Sequence, residues 1–338
     1  LPFDLIDFTS IKVPRIKQYK AGSPTLDIHY RRRMRHAELD VAHGHSPFMA
    51  GQEALRVAKS KHIPLIGTFH SKYYDDFYKA TRSETLSQAL TSGVVSFYEK
   101  CDEVWAVSHS TAKVLQGYGF KGEVQVMPNG VEIRSLDPKK YDEAEKKFAI
   151  GGTPLLLFVG QIDFKKNLLL VLKSAARLKK QGADFMLFLA GQGPDMKKVE
   201  EQVQELNIAD RVKMLGHITD SALLDALYAH ANLFVFPSMY DNAPMVVREA
   251  AVMKTPSVLI KGSDASEVIQ DRKNGFLCEN SAESLCAVIK TALENPDKTK
   301  EIGIAASQTI PISWQKVLSM ALERYENLAK NMRTKYRK

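Results

Sequence analysis

The run PLLLFVG, Pro154 to Gly160, decides the fold. It is unbrokenly apolar between a proline and a glycine, and it is strand-sized. A strand with no polar alternation is buried on both faces, as parallel strands between helical layers are. The residues that follow, NLLLVLKSAARLKKQG (167–182), have helical spacing and a glycine stop. The alternation then repeats. FMLFLAG (185–191), RVKMLGHI (211–218), NLFVFPS (232–238) and PSVLI (256–260) read as strands. PDMKKVEEQVQELN (194–207), SALLDALYAHA (221–231), ASEVIQD (265–271) and AESLCAVIKTALEN (282–295) read as helices. Repeated strand–helix units predict a doubly wound α/β sheet with helices on both faces.

The first half follows the same pattern less regularly. LDVAHGHS (39–46) ends a strand, FMAGQEALRVAKSKH (48–62) is a helix and IPLIGTFHS (63–71) a strand. DEVWAVS (102–108), HSTAKVLQGYG (109–119) and EVQVMPNG (123–130) read as strand, helix and strand, the last closed by an Asn-Gly turn. The expected break lies at Leu136–Lys140, giving domains of 1–137 and 138–310. ISWQKVLSMALERYENLAK (312–330) is amphipathic with no strand after it, so the terminal stretch 311–338 is expected to pack back on the first domain.

A chain of 338 residues is too long for one ordinary core and suits two domains. Its 44% apolar and 25% charged residues are those of a globular protein. No apolar run reaches the roughly 18 residues of a membrane span. The opening LPFDLIDFTS has neither the basic start nor the sustained apolar stretch of a signal peptide. It reads as the middle of a domain, so a segment before Leu1 is expected. Cys101, Cys278 and Cys286 are odd in number and unpatterned, against a disulfide framework or a zinc site and in keeping with a reducing cytosol. The net charge of +8 favours anionic partners. Basic residues cluster in YRRRMRH (30–36) and in the tail KNMRTKYRK (330–338); a solvated face accounts for either cluster alone. Neither cluster has interleaved aromatic repeats, which sets nucleic acid aside.

In open α/β sheets ligands bind beyond the carboxyl ends of the strands. Two such sheets with their loops facing would form an interdomain cleft. The exit loop FVFPSMYDNAPMVVREAAV (234–252) carries two acids, Asp241 and Glu249. Pro244 stands where a first helical residue often stands, and the helix N–H groups near Asn242–Met245 suit an anion such as a diphosphate. Glu249, just over one turn in, can accept two hydrogen bonds from a vicinal diol such as ribose. Asp241 has two readings: an acceptor for sugar hydroxyls, or a helix N-cap needing no ligand. Lys165 and Lys166, in GQIDFKKN (160–167), are either point charges for a phosphate or solvated lysines. GQGPD (191–195) is a tight turn, since Met196 stands where the dinucleotide fingerprint needs a third glycine. HGHS and TFHS supply His43, His45 and His70. No metalloenzyme carboxylate motif accompanies them, so polar roles outrank zinc, and for His43 a satisfied structural histidine is the plainer reading.

In this order the stretches resemble a retaining glycosyltransferase of the GT-B fold, glycosyltransferase family 4. The hallmark is an acid, seven residues, then Glu, in PSMYDNAPMVVREA (237–250). VAHGHSPF, IPLIGTFHS, VWAVSHSTAKVL, VMPNGV, VGQIDFKKN, LAGQGPD, VKMLGHITDSALLDALYAHANLFVFPS and KNGFLCE extend it over nearly the whole chain. The resemblance implies two Rossmann-like domains facing an interdomain cleft, with a nucleotide sugar as co-substrate and no further cofactor or metal. It implies Glu249 on the ribose, Asp241 on the donor sugar and Lys166 on the diphosphate. Backbone N–H groups at Ala243, Met245 and Val246 would meet the diphosphate or sugar. His70 would reach the sugar, and Ile218 would sit near the base. His45 and Ser46 fall on the acceptor side.

The stretch also departs from the family. The first acid is Asp rather than Glu. Asn242-Ala243-Pro244 replaces Gly-Phe-Gly and removes one N–H. Gln161 stands where the family has a diphosphate arginine, with Arg248 or Lys165 as candidate substitutes. The family's N-terminal glycine-rich loop does not occur here. The expected activity is hexose transfer from a nucleoside diphosphate sugar, UDP by family frequency, to a glycan or lipid hydroxyl. The expected place is the cytoplasm, with an anionic membrane face as partner for the arginines at 31, 32, 33 and 35. An epimerase of the same architecture and a non-catalytic binding module are the alternatives.

Overall fold

The computed structural model describes residues 4–12 and 20–336; the end of the basic tail, Arg337 and Lys338, lies outside them. The chain divides into two compact units, 1–127 with 318–338, and 128–317. The division comes earlier than the Leu136–Lys140 break read from the sequence. The reason is local: Val131 N–H donates to the Ile312 carbonyl, Asn129 Nδ2 to the Ala243 carbonyl and Arg134 to Asp225, so residues 129–134 are built into the second unit. The terminal helix Trp314–Tyr336 is shared at Val317, its later part counting with the first unit.

In the first unit Ser10–Lys12 (β1) pairs antiparallel with Lys20–Gly22 (β2). Ala42–Gly44 (β3), Leu65–Phe69 (β4), Glu103–Ala106 (β5) and Val124–Val126 (β6) form a parallel sheet in sequential order. Side chains at the boundaries dictate the intervening helices. Ser83 and Ser108 cap the helices Glu84–Tyr98 and His109–Gly117 by accepting from the third N–H beyond. The core is aromatic: Phe69, Phe97 and Tyr98 are fully buried and meet edge to face.

The second unit carries six parallel strands: Leu155–Val159 (β7), Met186–Ala190 (β8), Val212–Gly216 (β9), Leu233–Val235 (β10), Ser257–Ile260 (β11) and Phe276–Cys278 (β12). Their order is β12-β11-β10-β7-β8-β9. All five residues of β7 are buried, because the strand is central and covered on both faces. Leu157 faces Phe188 on one side and Phe234 on the other. Burial of each such phenylalanine contributes about 2 kcal/mol. ASEVIQD forms a short 3-10 turn, Asp264–Val268, rather than a helix.

The strand order places the site. From β7 the chain winds one way through β8 to β9. It then returns to β10 on the other side of β7 and winds outward to β12. The reversal lies between β7 and β10, and in open α/β sheets such a switch point, at the carboxyl ends of the strands, is where ligands bind.

Candidate functional site

The loop leaving β7 is shaped by its own side chains. Asp163 accepts from Lys165 N–H at 2.9 Å and starts the 3-10 turn Phe164–Lys166. Asn167 closes the turn in the left-handed conformation (φ 62°). Its amide donates to the Pro237 carbonyl at 3.1 Å, which ties the β7 exit to the β10 exit. Lys166 and Asp241, one from each loop, therefore meet in an ion pair and hydrogen bond. Buried Ser238 donates to the other Asp241 oxygen at 2.6 Å. Lys166 also lies over the Tyr240 ring, 5.5 Å from its centroid. The Lys166 and Asp241 side chains are 14% and 22% exposed.

Asp241 does not cap the helix. The helix is Met245–Val252, and Pro244 precedes it in extended conformation (ψ 129°) instead of being its first residue. The N–H groups of Met245 and Val246 lack intrahelical acceptors by construction, whereas that of Val247 donates back to the Pro244 carbonyl at 3.3 Å. Ala243 is fixed from behind, its carbonyl accepting from Asn129 Nδ2 at 3.3 Å. Asn242 is half-buried in the same loop.

Glu249 sits one turn into the helix, half-buried, and accepts from the Tyr228 hydroxyl at 3.3 Å. Burial pushes its carboxyl above the ordinary glutamate range, an effect opposed by the Tyr228 bond and by the charge of Arg134. Arg248 does not stand in for a missing arginine. Its buried guanidinium donates to the Ile310 carbonyl at 2.6 Å, inside the fold. Lys165 is exposed, 3.8 Å from Asp163.

Gln161 and Ile218 come together elsewhere along the same edge. With Gly160, Gly191, His217 and Leu224 they line a pocket of about 340 Å³ at the ends of β7, β8 and β9. Gly191 is required there for a reason that the turn reading of GQGPD does not contain. A Cβ on Gly191 would lie 1.8 Å from the Gly160 carbonyl oxygen, and its φ is +145°.

The first unit gathers its three histidines. His43 and His45 stack with ring centroids 4.2 Å apart at 27°, and His45 Nδ1 lies 3.1 Å from His70 Nε2. The two ring nitrogens of His43 lie 2.6 Å from Tyr325 Oη and 2.7 Å from Thr68 Oγ1. Burial lowers all three, with His43 down to about 3, so the cluster is uncharged near neutrality. Ser46 follows in the same loop, its hydroxyl 3.4 Å from Phe48 N–H. Among the described residues no group of three or more His, Cys, Asp or Glu is placed to hold a metal ion. Among them, too, no helix is long and apolar enough to cross a membrane.

The structure thus pairs Lys166 with Asp241, groups Gln161 with Ile218 and His45 with His70, and holds Glu249 separately through Tyr228. Sequence reasoning missed Ser238, Tyr228, Asn129, Thr68 and Tyr325. Ser238 alone had a local signal, standing three residues before the acid in the same exit loop.

The profile described as "Glycosyltransferase Family 4" matches residues 4–135, and that described as "Glycosyl transferases group 1" matches residues 140–309. An alpha-monoglucosyldiacylglycerol synthase of Streptococcus pneumoniae is 25% identical over 286 residues, 82% of this chain and 64% of its own length. The chain thus spans less than two thirds of that relative. A glycogen synthase of Mycobacterium tuberculosis is 24% identical over 295 residues, 85% of this chain and 68% of its own. The Anabaena protein Alr3699/HepE, solved in complex with UDP, has the same fold, with a TM-score of 0.74 at 20% identity over 90% of this chain and 83% of that one.

Proposed function

Because the chain belongs to the group 1, family 4 glycosyltransferases of the GT-B fold, we propose that it transfers a hexose from a nucleoside diphosphate sugar, UDP favoured, to an acceptor hydroxyl with retention at the anomeric carbon. The observation that carries this reading is the meeting of Lys166 and Asp241 at the switch point of the second sheet. An arriving donor brings an anion for Lys166 and hydroxyls for Asp241, so each residue exchanges its partner in the pair for a ligand group. Glu249 takes the ribose diol, and the Gln161–Ile218 pocket takes the base. Lys165, Asn242, Pro244 and the N–H groups at 243, 245 and 246 line the path of the diphosphate and sugar. His45, Ser46 and His70 supply neutral hydrogen-bonding groups for sugar and acceptor hydroxyls.

In the step itself, the bond from the anomeric carbon to the diphosphate oxygen breaks. A bond to the acceptor oxygen forms on the same face, and the acceptor proton passes to the departing diphosphate. Charge builds on the leaving group, where Lys166 and the dipole of Met245–Val252 stabilise it, so metal-independent transfer is part of the proposal. A second reading, donor binding without turnover, is favoured by one feature: Gln161 and Pro244 both thin the anion cradle.

The name of the pneumococcal relative, a synthase of a glucosylated diacylglycerol, supports a lipid hydroxyl as acceptor, as does the helix Ile28–His36. That helix exposes Ile28, Arg31, Arg32 and Arg35 on one face. Such a face suits an anionic bilayer. Salt-sensitive flotation with phosphatidylglycerol vesicles is expected; a salt-insensitive, unbound distribution would sink the membrane part.

Calorimetric titration with UDP-glucose, GDP-mannose and ADP-glucose tests the donor part. One donor should bind, and Glu249→Ala should weaken it about thirtyfold, the worth of hydrogen bonds to a charged acceptor. No binding by the folded chain, or binding indifferent to Glu249, would overturn the donor site.

A further inference from the structure

The first unit carries a line of side chains that starts on the terminal helix and ends at His70. Tyr325, half-buried on that helix, stacks on Trp105 with centroids 5.4 Å apart and planes at 8°. Neighbouring Arg324 pairs with Glu103, which holds the helix against β5. The Tyr325 hydroxyl lies 2.6 Å from His43 Nδ1, and His43 Nε2 lies 2.7 Å from Thr68 Oγ1. His43 also meets Trp105 edge to face at 4.8 Å. Its ring is thus gripped at both nitrogens and at one edge, and its open face carries His45. His45 in turn holds His70.

A neutral imidazole has one N–H and one bare nitrogen, and its neighbours choose which is which. A phenol is the stronger donor of the two partners here. Donation from Tyr325 to Nδ1 would put the ring proton on Nε2, facing Thr68 Oγ1. Burial keeps the ring from resolving the matter by charging.

We infer that Tyr325 is a positioning residue: its hydroxyl fixes the tautomer and plane of His43, and the stacked ring of His45 passes that constraint to the His45–His70 pair. The consequence for turnover rests on the proposed function; the consequence for the histidines does not.

Tyr325→Phe is the test, because it keeps the stack on Trp105 and removes only the hydroxyl. Ring-nitrogen NMR of the full chain, with His43 assigned through His43→Gln, should show a single Nε2–H tautomer in the wild type. In Tyr325→Phe the His43 nitrogens should move toward the tautomer average, and those of His45 and His70 should move with them. In the transfer assay kcat should fall about tenfold, with donor KM within about twofold, as losses of orienting hydrogen bonds do. Unmoved His43 resonances, or moved ones with His45 and His70 untouched, overturn the inference. Moved resonances with unchanged kcat overturn its link to catalysis. A wild type without transfer activity would sink the proposed function and leave the NMR result standing by itself.

Discussion

Lys166 and Asp241 meet as opposite charges at the end of the second sheet, whereas His43, His45 and His70 meet as neutral rings at the end of the first. Both clusters are assembled from loops that leave adjacent parallel strands, so the fold supplies the same platform twice. The chemistry differs because the side chains do. A charged pair kept partly open can trade partners with an anion and a hydroxyl. A neutral, mutually bonded set of rings offers donors and acceptors without attracting charge. On the proposed function the electrostatic work therefore falls on the second unit and the orienting work on the first. Lys166→Ala should then lower kcat by about 10²–10³-fold, the scale of losing a fixed positive group at a developing oxyanion. His70→Ala should lower it by up to about 10²-fold, the scale of a misplaced orienting group. The reverse order in the same assay would break the comparison.

The two units are also alike in how glycine admits a neighbouring chain. A Cβ on Gly191 would lie 1.8 Å from the Gly160 oxygen, and one on Gly51 would lie 1.9 Å from the Ser46 oxygen. Each glycine thus sits under a site loop. Gly191→Ala adds backbone strain to the clash, since its φ is +145°. It should cost about 3 kcal/mol, and Gly51→Ala about 2. Chemical denaturation reads both, and a neutral Gly191→Ala would show that the β7 and β8 exits are not held in contact in solution.

These glycines show where sequence reading stops. The parallel sheet of the second unit was legible because β7 and β8 are continuous apolar runs with caps and stops beside them. β3 and β6 of the first unit were read as strands too, but from mixed stretches without such a run, so that half looked less regular. Asp241, Glu249 and Lys166 were legible as types at strand exits, and the switch point explains why exits matter. Their partners were not. Lys166 and Asp241 are 75 residues apart in sequence, and His43 and Tyr325 are 282 apart. No local pattern encodes a contact at that range. The helix does start within the expected stretch, at Met245, but Pro244 stands just outside it, and the loop before it is held by Asn129 and Ser238, which no capping pattern foretells.

Glu249 adds a difference that can be read against pH. Its carboxyl is raised by burial above the usual 4.5, whereas the histidines of the first unit are lowered below 6.5. As pH falls toward 4.5, Glu249 takes up its proton earlier than an ordinary glutamate. Donor affinity should therefore decline severalfold in the window just above 4.5, where Glu249→Gln should be flat. Stability moves the other way. The folded state binds this proton more tightly than the unfolded chain, so acidification through the raised value relieves the cost of a buried charge. At neutral pH Glu249→Gln should melt about 2–4 °C higher than the wild type, and the gap should close as pH falls to 4.5. A wild type whose donor affinity and stability fall together in that window would contradict a buried, raised Glu249.

The smallest expected effect is a gain. Gln161 lines the pocket at the ends of β7, β8 and β9, just before the loop that carries Lys166. It is the position at which the resemblance calls for an arginine, and Arg248 is spent on the Ile310 carbonyl. On the proposed function, Gln161→Arg should add one charge to the cradle formed by Lys166 and the helix start. An added, partly exposed charge of this kind contributes about 1 kcal/mol, or roughly fivefold in affinity for UDP-glucose. The gain should shrink as salt is raised from 50 to 500 mM, since exposed charges are screened. Asp241→Asn in the same background should leave the gain intact, because the arginine would act on phosphate and Asp241 on sugar. A gain that vanishes with Asp241→Asn would mean that the new arginine pairs with Asp241. The second unit would then handle charge as one network, and the division between a phosphate group and a sugar group at the switch point would fail.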